Sequence, residues 1–469
     1  MTKVLLIRPD VPKDAPLGKL PPYTPLGLAF LAGVLEKEGF EVAVLDNYLL
    51  EKGQNSLARE IQGIKPDVIG VHCNISTTPT VAEIVEIGKQ EGVPTVVGGP
   101  QITIAPERTL KRIGGNIGVI GEGEMTFLEL CRVLSNSHRI NEENIRDIPG
   151  LVIKESNGSY LITGKREPIK NLDTLRFLPL HLFPHKKYAK STPEIKTTPL
   201  DWMSTSRGCP FNCAFCSNIH VWGRNYRCMS AKRMVDEVEH MVQTHGTRAI
   251  EFREDNFTVD KNRVLEFCRL ISERGLKIDW MCESRVDLVD QKLLETMRES
   301  GCVYIYFGVE SGSQRVLDFL RKGITLEQIE NTFSLCKKVD IKTGASIMLG
   351  LPNQTLEENY ESIKFVKQID ADIVYFNPFM GYPGTDLYQY IVDNNLIFSR
   401  WEEIIMPNSE ALTWPQKVRF KTKAELLYNL SLPVFLGHIK RMGFKRFIEK
   451  GFITFNRYIK SWKSTIHMH

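Results

Sequence analysis

No stretch of this 469-residue chain approaches twenty consecutive apolar residues, so nothing in it reads as a membrane-spanning helix. The opening MTKVLLIRPD has a run of only four apolar residues before charge returns; it reads as a first core strand, neither a signal peptide nor a membrane span. Net charge is also scarce: +4 overall, too small at this size to imply a nucleic-acid partner. Cysteines occur singly over most of the chain, at Cys73, Cys131, Cys268, Cys282, Cys302 and Cys336. That usage suits reduced thiols in a cytoplasm and excludes a disulfide framework. With 42% hydrophobic and 25% charged residues, the composition is that of packed domains and excludes disorder on a large scale.

Against this background one run stands out. RGCPFNCAFC places Cys209, Cys213 and Cys216 at C-x-x-x-C-x-x-C spacing. Three thiolates from one short loop can hold three irons of a cubane cluster and leave the fourth iron open for chemistry. The competing reading adds Cys228, twelve residues on, as the fourth ligand of a closed zinc or iron–sulfur site. Zinc knuckles, however, usually pair C-x-x-C with a second such pair.

The rest of the chain falls into two βα-like blocks. In the first, apolar strands at 4–7, 42–45, 68–72, 95–97 and 117–120 alternate with helical stretches at 26–38, 80–90 and 125–134. Five short buried strands separated by helices predict a doubly wound parallel sheet of the Rossmann or flavodoxin type, with a ligand beyond the strands' carboxyl ends. The loops there are residues 9–24, NISTTP with Ser76, Thr77 and Thr78, GGPQIT with Gly98 and Gly99, and GEGE with Gly121 and Glu122. Glycines would let backbone approach a large flat ligand, and the hydroxyls would donate to its side chains.

Residues 141–199 read as a linker with a short hairpin turning at Asn157 and Gly158. The second block has strands at 201–206, 248–252, 278–282, 303–307, 343–348 and 372–377, which predict a partial (β/α)6 TIM-like barrel with its site at the strands' carboxyl ends. There lie Glu254, Asp255 and Asn256 after the second strand, Arg285 after the third, Glu310 and Ser311 after the fourth, and Gly350 and Pro352 after the fifth. From 415 to 469 twelve basic residues face two acids, interleaved with aromatic and aliphatic ones. This segment reads either as a helical cap on the barrel or as an amphipathic surface for an anionic membrane or lipidic substrate.

The cysteine spacing, with Phe215 just before the last cysteine, resembles the radical S-adenosylmethionine (radical SAM) superfamily. The resemblance implies a [4Fe-4S] cluster on Cys209, Cys213 and Cys216, which cleaves S-adenosylmethionine reductively to a 5′-deoxyadenosyl radical. It further implies that Phe215, Glu254, Asp255, Arg285, Glu310, Ser311 and Gly350 contact S-adenosylmethionine. Arg285 would take its carboxylate, Glu254 and Asp255 its amino group, and Glu310 and Ser311 its ribose or carboxylate. Arg224, Tyr226 and Arg227 resemble that family's Y-R element, which would shield the cluster or contact a phosphate.

PLGLAFLAGVLEKEGFEV, PDVIGVHCNISTTPT, GGPQITIAPE and GEGEMTFLEL, in that order, resemble the cobalamin-binding domain of cobalamin-dependent radical SAM enzymes. The implied contacts to cobalamin are Ser76, Thr77, Thr78, Gly98, Gly99, Gly121 and Glu122. The D-x-H-x-x-G signature that supplies a histidine to cobalt elsewhere is absent, and His72 reads as a core residue of its strand. Cobalt is therefore expected without a histidine below it, and the domain could also have lost cobalamin.

Four segments follow: a cobalamin-binding-like domain at 1–140, a linker at 141–199, a radical SAM barrel at 200–390 and a basic, mainly helical region at 391–469. The expected activity is methylation of an unactivated carbon of a small molecule or lipid. Alternatives are oxidative cyclisation or ring rearrangement, as in the anaerobic porphyrin-ester cyclase branch, cobalamin-independent dehydration or deoxygenation, and a non-catalytic iron–sulfur carrier or sensor. The expected setting is cytoplasmic, with flavodoxin or ferredoxin as electron donor, peripheral membrane contact through the basic C-terminus, and no nucleic acid.

Overall fold

The computed structural model describes residues 2–12, 15, 23–50, 56–137, 140–188 and 190–431. The chain divides into two compact units: Met1–Pro210 with Ser217–Asp255 and Leu270–Ile278, and Phe211–Cys216 with Asn256–Arg269 and Asp279–His469.

The first unit is built on a seven-stranded sheet. Its strands are β1 (Lys3–Arg8), β2 (Glu41–Asp46), β3 (Val68–His72), β4 (Thr95–Gly98), β5 (Ile117–Val119), β6 (Leu151–Lys154) and β7 (Tyr160–Ile162), in the order β2-β1-β3-β4-β5-β6-β7. The first five are parallel; Val4, for example, pairs with Val42 on one side and Val68 on the other. Short runs of Val, Ile and Leu suit strands covered on both faces, and Leu5, Ile7, Ile69 and Val97 are fully buried beneath helices such as Thr78–Gln90. Each such side chain contributes about 1.5–3 kcal/mol on burial. The hairpin expected inside a linker joins the sheet edge instead, with Gly118 opposite Val152 and β7 antiparallel to β6. Order 2-1-3-4-5 reverses direction between β1 and β3, so the ligand crevice opens at the carboxyl ends of those two strands.

The same unit holds β8 (Leu200–Met203), a two-residue β9 (Ser206–Arg207) paired antiparallel with β10 (Arg227–Cys228), and β11 (Ala249–Phe252) parallel to β8. The strand expected over 201–206 breaks because the Thr205 N–H donates to Glu254 Oε1 at 2.6 Å rather than to a ladder.

In the second unit β12 (Asp279–Ser284), β13 (Cys302–Glu310), β14 (Lys342–Leu349) and β15 (Ile373–Pro378) run parallel in that order. Helices Gln291–Glu299, Leu326–Lys338 and Leu356–Gln368 connect them. Each helix starts at a residue able to satisfy its free amides: Asp290 accepts from Leu293 N, and Thr325/Gln328 and Thr355/Glu358 form reciprocal capping boxes. All six strands expected of the second block are thus present. The region expected to be mainly helical begins with an antiparallel hairpin, β16 (Ile397–Trp401) and β17 (Ile404–Pro407), before helix Trp414–Asn429. Most of the basic tail, 432–469, lies outside the described residues. No helix among the described residues is long and apolar enough to cross a membrane.

Candidate cofactor site

At the carboxyl ends of β3, β4 and β5 a cavity of about 190 Å³ is walled by backbone-exposing glycines, among them Gly70, Gly98, Gly99 and Gly121. Gly99 has φ +107, and a Cβ there would lie 2.7 Å from the Cys73 carbonyl oxygen. Only glycine fits. Gly121, with φ +78, donates its N–H to Thr103 Oγ1 at 3.0 Å. The expected glycines therefore do face one cavity, and the cavity suits a flat, ring-sized group. The hydroxyl loop behaves differently. Thr77 and Asn74 cap each other, Thr78 Oγ1 donates to Ile75 O at 3.2 Å, and Ser76, Thr77 and Thr78 are buried. The hydroxyls of Thr77 and Thr78 serve the start of helix Thr78–Gln90 rather than standing ready for a ligand. His72, expected in the core, instead lines the cavity.

Glu122 belongs to a buried charge network that the sequence reading missed. Its Oε2 accepts from Arg207 Nη1 at 2.7 Å and from Ile169 N at 3.2 Å, and its Oε1 accepts from Arg227 Nη2. Glu124 Oε1 accepts from Arg207 Nη2 at 2.5 Å. Burial alone would raise the Glu122 pKa, but the Arg227 hydrogen bond and the charges of Arg207 and Arg227 bring it below the usual carboxylate value. Arg227, expected to shield the cluster or contact a phosphate, thus ties the GEGE loop to the β9–β10 hairpin. The supposed linker contributes too, since Ile169 O accepts from Arg227 at 2.6 Å.

That hairpin sets the start of the cysteine loop. Gly208, with φ +84, sits so close to the Asn225 carbonyl that no Cβ could stand there, and Cys209 N donates to Gly223 O at 3.3 Å. Glu254, at the end of β11, is buried and held by Thr205 N, Thr205 Oγ1 and Ser206 Oγ. Asp255 Oδ1 accepts from Asn218 Nδ2 at 2.6 Å. Glu254, Asp255, Ser206, Phe30 and Trp222 line a second cavity of about 170 Å³, which shares Gly27, Glu124 and Trp222 with the glycine-walled one.

In the second unit the loop continues with Cys213 and Cys216 on one turn, where Cys216 N donates to Cys213 O at 3.2 Å. Ala214 is anchored from two sides: its N–H donates to Leu320 O at 2.9 Å and its carbonyl accepts from Leu387 N at 3.2 Å. Phe215 packs against the cluster formed by Ala214, Val316, Leu351 and Phe379. Arg285, expected to take the carboxylate of S-adenosylmethionine, is buried. It is also already paired: its guanidinium grips Asp287 with two bonds of 2.9 Å, lies 3.8 Å from the centre of the Phe211 ring, and directs Nη1 at Cys213 Sγ, 3.9 Å away. Glu310 has φ +66 at a register shift between β13 and β14 and accepts from buried Lys322 Nζ at 2.9 Å. Lys322, a residue with no motif to mark it, lies 5.7 Å from the Phe215 ring centre. Ser311 is fully buried and bonded to Ser313 N and Ser362 Oγ. Gly350, with φ +66, donates to Asn359 Oδ1 at 2.8 Å.

The cysteines separate cleanly. Burial pushes the Cys131 and Cys268 thiols up to about 12, and Cys73, Cys282, Cys302 and Cys336 are equally enclosed, whereas Cys209, Cys213, Cys216 and Cys228 are half-buried. Among the described residues no three His, Cys, Asp or Glu side chains are grouped to hold a single metal ion.

Comparison with known proteins agrees with this geometry. The model of the radical SAM superfamily matches residues 203–366 and that of the B12 binding domain residues 21–131. The uncharacterized methyltransferase PH0819 of Pyrococcus horikoshii is 34% identical over 402 residues, 85% of this chain and 84% of that protein. The chain belongs to the radical SAM superfamily, in the branch that carries a B12-binding domain. Another member, the anaerobic magnesium-protoporphyrin IX monomethyl ester cyclase of Rubrivivax gelatinosus, is 28% identical over 80% of this chain and 68% of its own. The radical SAM methyltransferase TsrM from Kitasatospora setae, solved with cobalamin and a [4Fe-4S] cluster, shares the fold at a TM-score of 0.69 and 20% identity, over 84% of this chain and 75% of that one. Membership of this branch carries with it a [4Fe-4S] cluster, S-adenosylmethionine and cobalamin as cofactors.

Proposed function

We propose that this enzyme methylates an unactivated carbon of a small molecule or lipid. The observation that carries the reading is the shared wall of the two cavities: Gly27, Glu124 and Trp222 border both the glycine-walled cavity and the one containing Glu254. A methyl carrier in the first and an adenosyl group beside the second would be neighbours. When bound, cluster, S-adenosylmethionine and cobalamin supply the radical and the methyl group. The chain's own residues hold and orient them.

Cys209, Cys213 and Cys216 would hold the cluster, and their half-exposed thiols suit that role. Glu254, preset by Thr205 and Ser206, would accept from the amino group of S-adenosylmethionine with Asp255 beside it. Phe215 and Gly350 would frame its adenosine. Glu310 and Lys322 together offer an acceptor and a donor for ribose or carboxylate, which relieves Arg285 of the carboxylate and leaves it to Cys213. Ser311 would act only by fixing the bulge that aims Glu310. Gly98, Gly99 and Gly121 would lie against cobalamin, with Glu122 bracing their loop. The four segments at 1–140, 141–199, 200–390 and 391–469 stand as working divisions, with the sheet reaching Ile162.

An external one-electron donor such as flavodoxin or ferredoxin would reduce the cluster. Arg419, Lys421 and Lys423 on helix Trp414–Asn429, with the tail beyond, would supply any contact with a membrane surface, whereas Lys417 on the same helix is buried. The resemblance to the cyclase supports a second reading, oxidative ring closure.

The test is anaerobic turnover of the reconstituted protein with candidate acceptors, measuring 5′-deoxyadenosine, S-adenosylhomocysteine and product mass. Methylation requires both nucleosides and a product heavier by one CH2. Deoxyadenosine without S-adenosylhomocysteine, with a product that has lost hydrogen, would instead establish ring closure.

A further inference from the structure

A parallel sheet normally buries both faces, but in the second unit one face stays partly open. Phe307 packs on Phe333 of helix Leu326–Lys338 and Phe376 on Tyr428 of helix Trp414–Asn429, so one alternate set of residues on β13–β15 turns outward into a closed core. The other set turns inward and stays accessible: Tyr306, Ser346, Met348 and Tyr375 are half-buried and Asn377 is exposed. Glycine opens the floor of this inner face. Gly344 is paired with Tyr306, and a Cβ there would collide with the Tyr304 hydroxyl. Across that bare position the Tyr306 and Tyr375 rings meet edge to face, 5.5 Å between centres. Gly308, paired with Ser346, is roofed by the Glu310–Lys322 pair; a Cβ on it would stand 2.7 Å from Lys322 Nζ. Ser346 lies one strand from Gly308 and Tyr375 two, about 5 and 10 Å away. Met348 packs against the same apolar cluster as Phe215 of the cysteine loop.

From this placement we propose that the inner face of β13–β15 binds the methyl acceptor, and that the acceptor is a planar, uncharged ring bearing a hydrogen-bonding group, not an acyl chain or a phosphate ester. The inference rests on the methylation reading and on the assignment of Glu310 and Lys322 to S-adenosylmethionine, beside which an acceptor must lie. The tyrosine pair offers a rigid wall to a ring, whereas a flexible chain would pay more entropy for the same contact. Ser346 and Asn377 make no side-chain hydrogen bond among the described residues and can serve one polar group on the ring. Toward the carboxyl ends of β13–β15 this face carries no cation among the described residues besides Lys322, which Glu310 already holds, so a phosphate would lose its water without gaining a counter-charge.

The test uses three probes that vary one property at a time: 2-naphthol, 1-octanol with the same hydroxyl on a flexible chain, and 2-naphthyl phosphate with the same ring and added charge. Each is equilibrated by anaerobic dialysis with the full-length protein loaded with cluster, cobalamin and S-adenosylmethionine, without reductant so that no turnover occurs. 2-Naphthol should bind about tenfold more tightly than either of the others. Asn377→Ala should raise its Kd about fivefold and Tyr375→Leu about tenfold, with iron content and retention of S-adenosylmethionine unchanged as evidence of folding. Equal binding of 1-octanol or 2-naphthyl phosphate would overturn the acceptor class. No retention of 2-naphthol, or a Kd unchanged in both variants, would overturn the site. Failure of the wild type to hold S-adenosylmethionine would overturn both the proposal and the cofactor assignment beneath it. Methylation itself is judged separately, by S-adenosylhomocysteine in turnover; an enzyme that binds the ring and yields none would refute that reading and, with it, the ring's role as methyl acceptor, whereas the adverse dialysis results on the probes leave methylation standing.

Discussion

Lys417 lies flat across Gly350: a Cβ on Gly350 would come within 2.6 Å of Lys417 Cδ. The lysine is wholly buried and its Nζ has no hydrogen-bond partner among the described residues. Burial pushes the amine from its usual 10.5 down to about 7, against the pull of Glu410. The sign of the effect on stability follows from linkage. Above pH 10.5 the amine is neutral in both states and costs nothing. As the pH falls from 10.5 to about 7 the unfolded chain binds a proton that the folded chain refuses, and stability declines; below about 7 the penalty is constant. Lys417→Met should therefore stabilise the protein at pH 7 by about 2–4 kcal/mol, with the gain shrinking toward pH 10. Urea unfolding at the two pH values measures this directly, and a loss of stability at pH 7 would mean that the amine has a partner.

The Arg207 network makes a different demand. Arg207 is enclosed together with Glu122 and Glu124, so Arg207→Met strands buried carboxylates and should cost about 3–5 kcal/mol. Adding Glu124→Gln removes one stranded charge and should recover part of the loss. A double variant no more stable than Arg207→Met would refute this account. Because the folded pKa of Glu122 is lowered, its contribution is present above the usual carboxylate value and should disappear as pH falls through the folded value.

The sheet of the first unit was legible in the sequence because its strands are unbroken apolar runs: 68–72 was predicted and found as Val68–His72. The strand at 201–206 misled, since its apolar pattern says nothing of Glu254, a residue far along the chain that captures the Thr205 N–H. Motif glycines were legible for the same local reason, as with Gly99, whose φ of +107 is a property of its own backbone. Lys322 and Arg207 were not. Their roles arise from partners that no periodicity or spacing encodes, Glu310 for one and the GEGE loop for the other. His72 shows the converse: an apolar strand context said core, but the last residue of a parallel strand faces the ligand edge of the sheet.

Arg285 should tune the cluster rather than bind the carboxylate of S-adenosylmethionine. Its Nη1 points at Cys213 Sγ, and hydrogen bonds to ligating sulfur raise an iron–sulfur potential. Arg285→Met should leave iron content unchanged, at about four per chain, and move the cluster potential to a more negative value in a redox titration. An unchanged potential with weakened S-adenosylmethionine binding would return Arg285 to the carboxylate role.

Cys228 offers a direct test of an open cluster corner. It sits in β10 opposite Ser206, half-buried like the three motif cysteines. If the site were closed by a fourth thiolate, Cys228→Ala would lose iron as completely as Cys213→Ala. The expected outcome is that Cys209→Ala, Cys213→Ala and Cys216→Ala lose the cluster while Cys228→Ala retains it, by iron analysis after anaerobic reconstitution.

Two neighbouring glycines should answer differently to the same added methyl group. At Gly98 a Cβ would meet nothing closer than Val119 Cβ at 3.7 Å, an ordinary contact. At Gly99 it would strike the Cys73 carbonyl at 2.7 Å on a backbone with φ +107. Gly99→Ala should therefore cost about 1–3 kcal/mol in folding and weaken hydroxocobalamin binding, because relief of the clash must push β3 and β4 apart at the wall of the cavity. Gly98→Ala should fold normally, and any loss of binding would report only the volume taken from the cavity. Equilibrium dialysis of hydroxocobalamin, paired with urea unfolding of the same variants, separates the two effects; equal destabilisation by both would show that Gly99 is not specifically constrained.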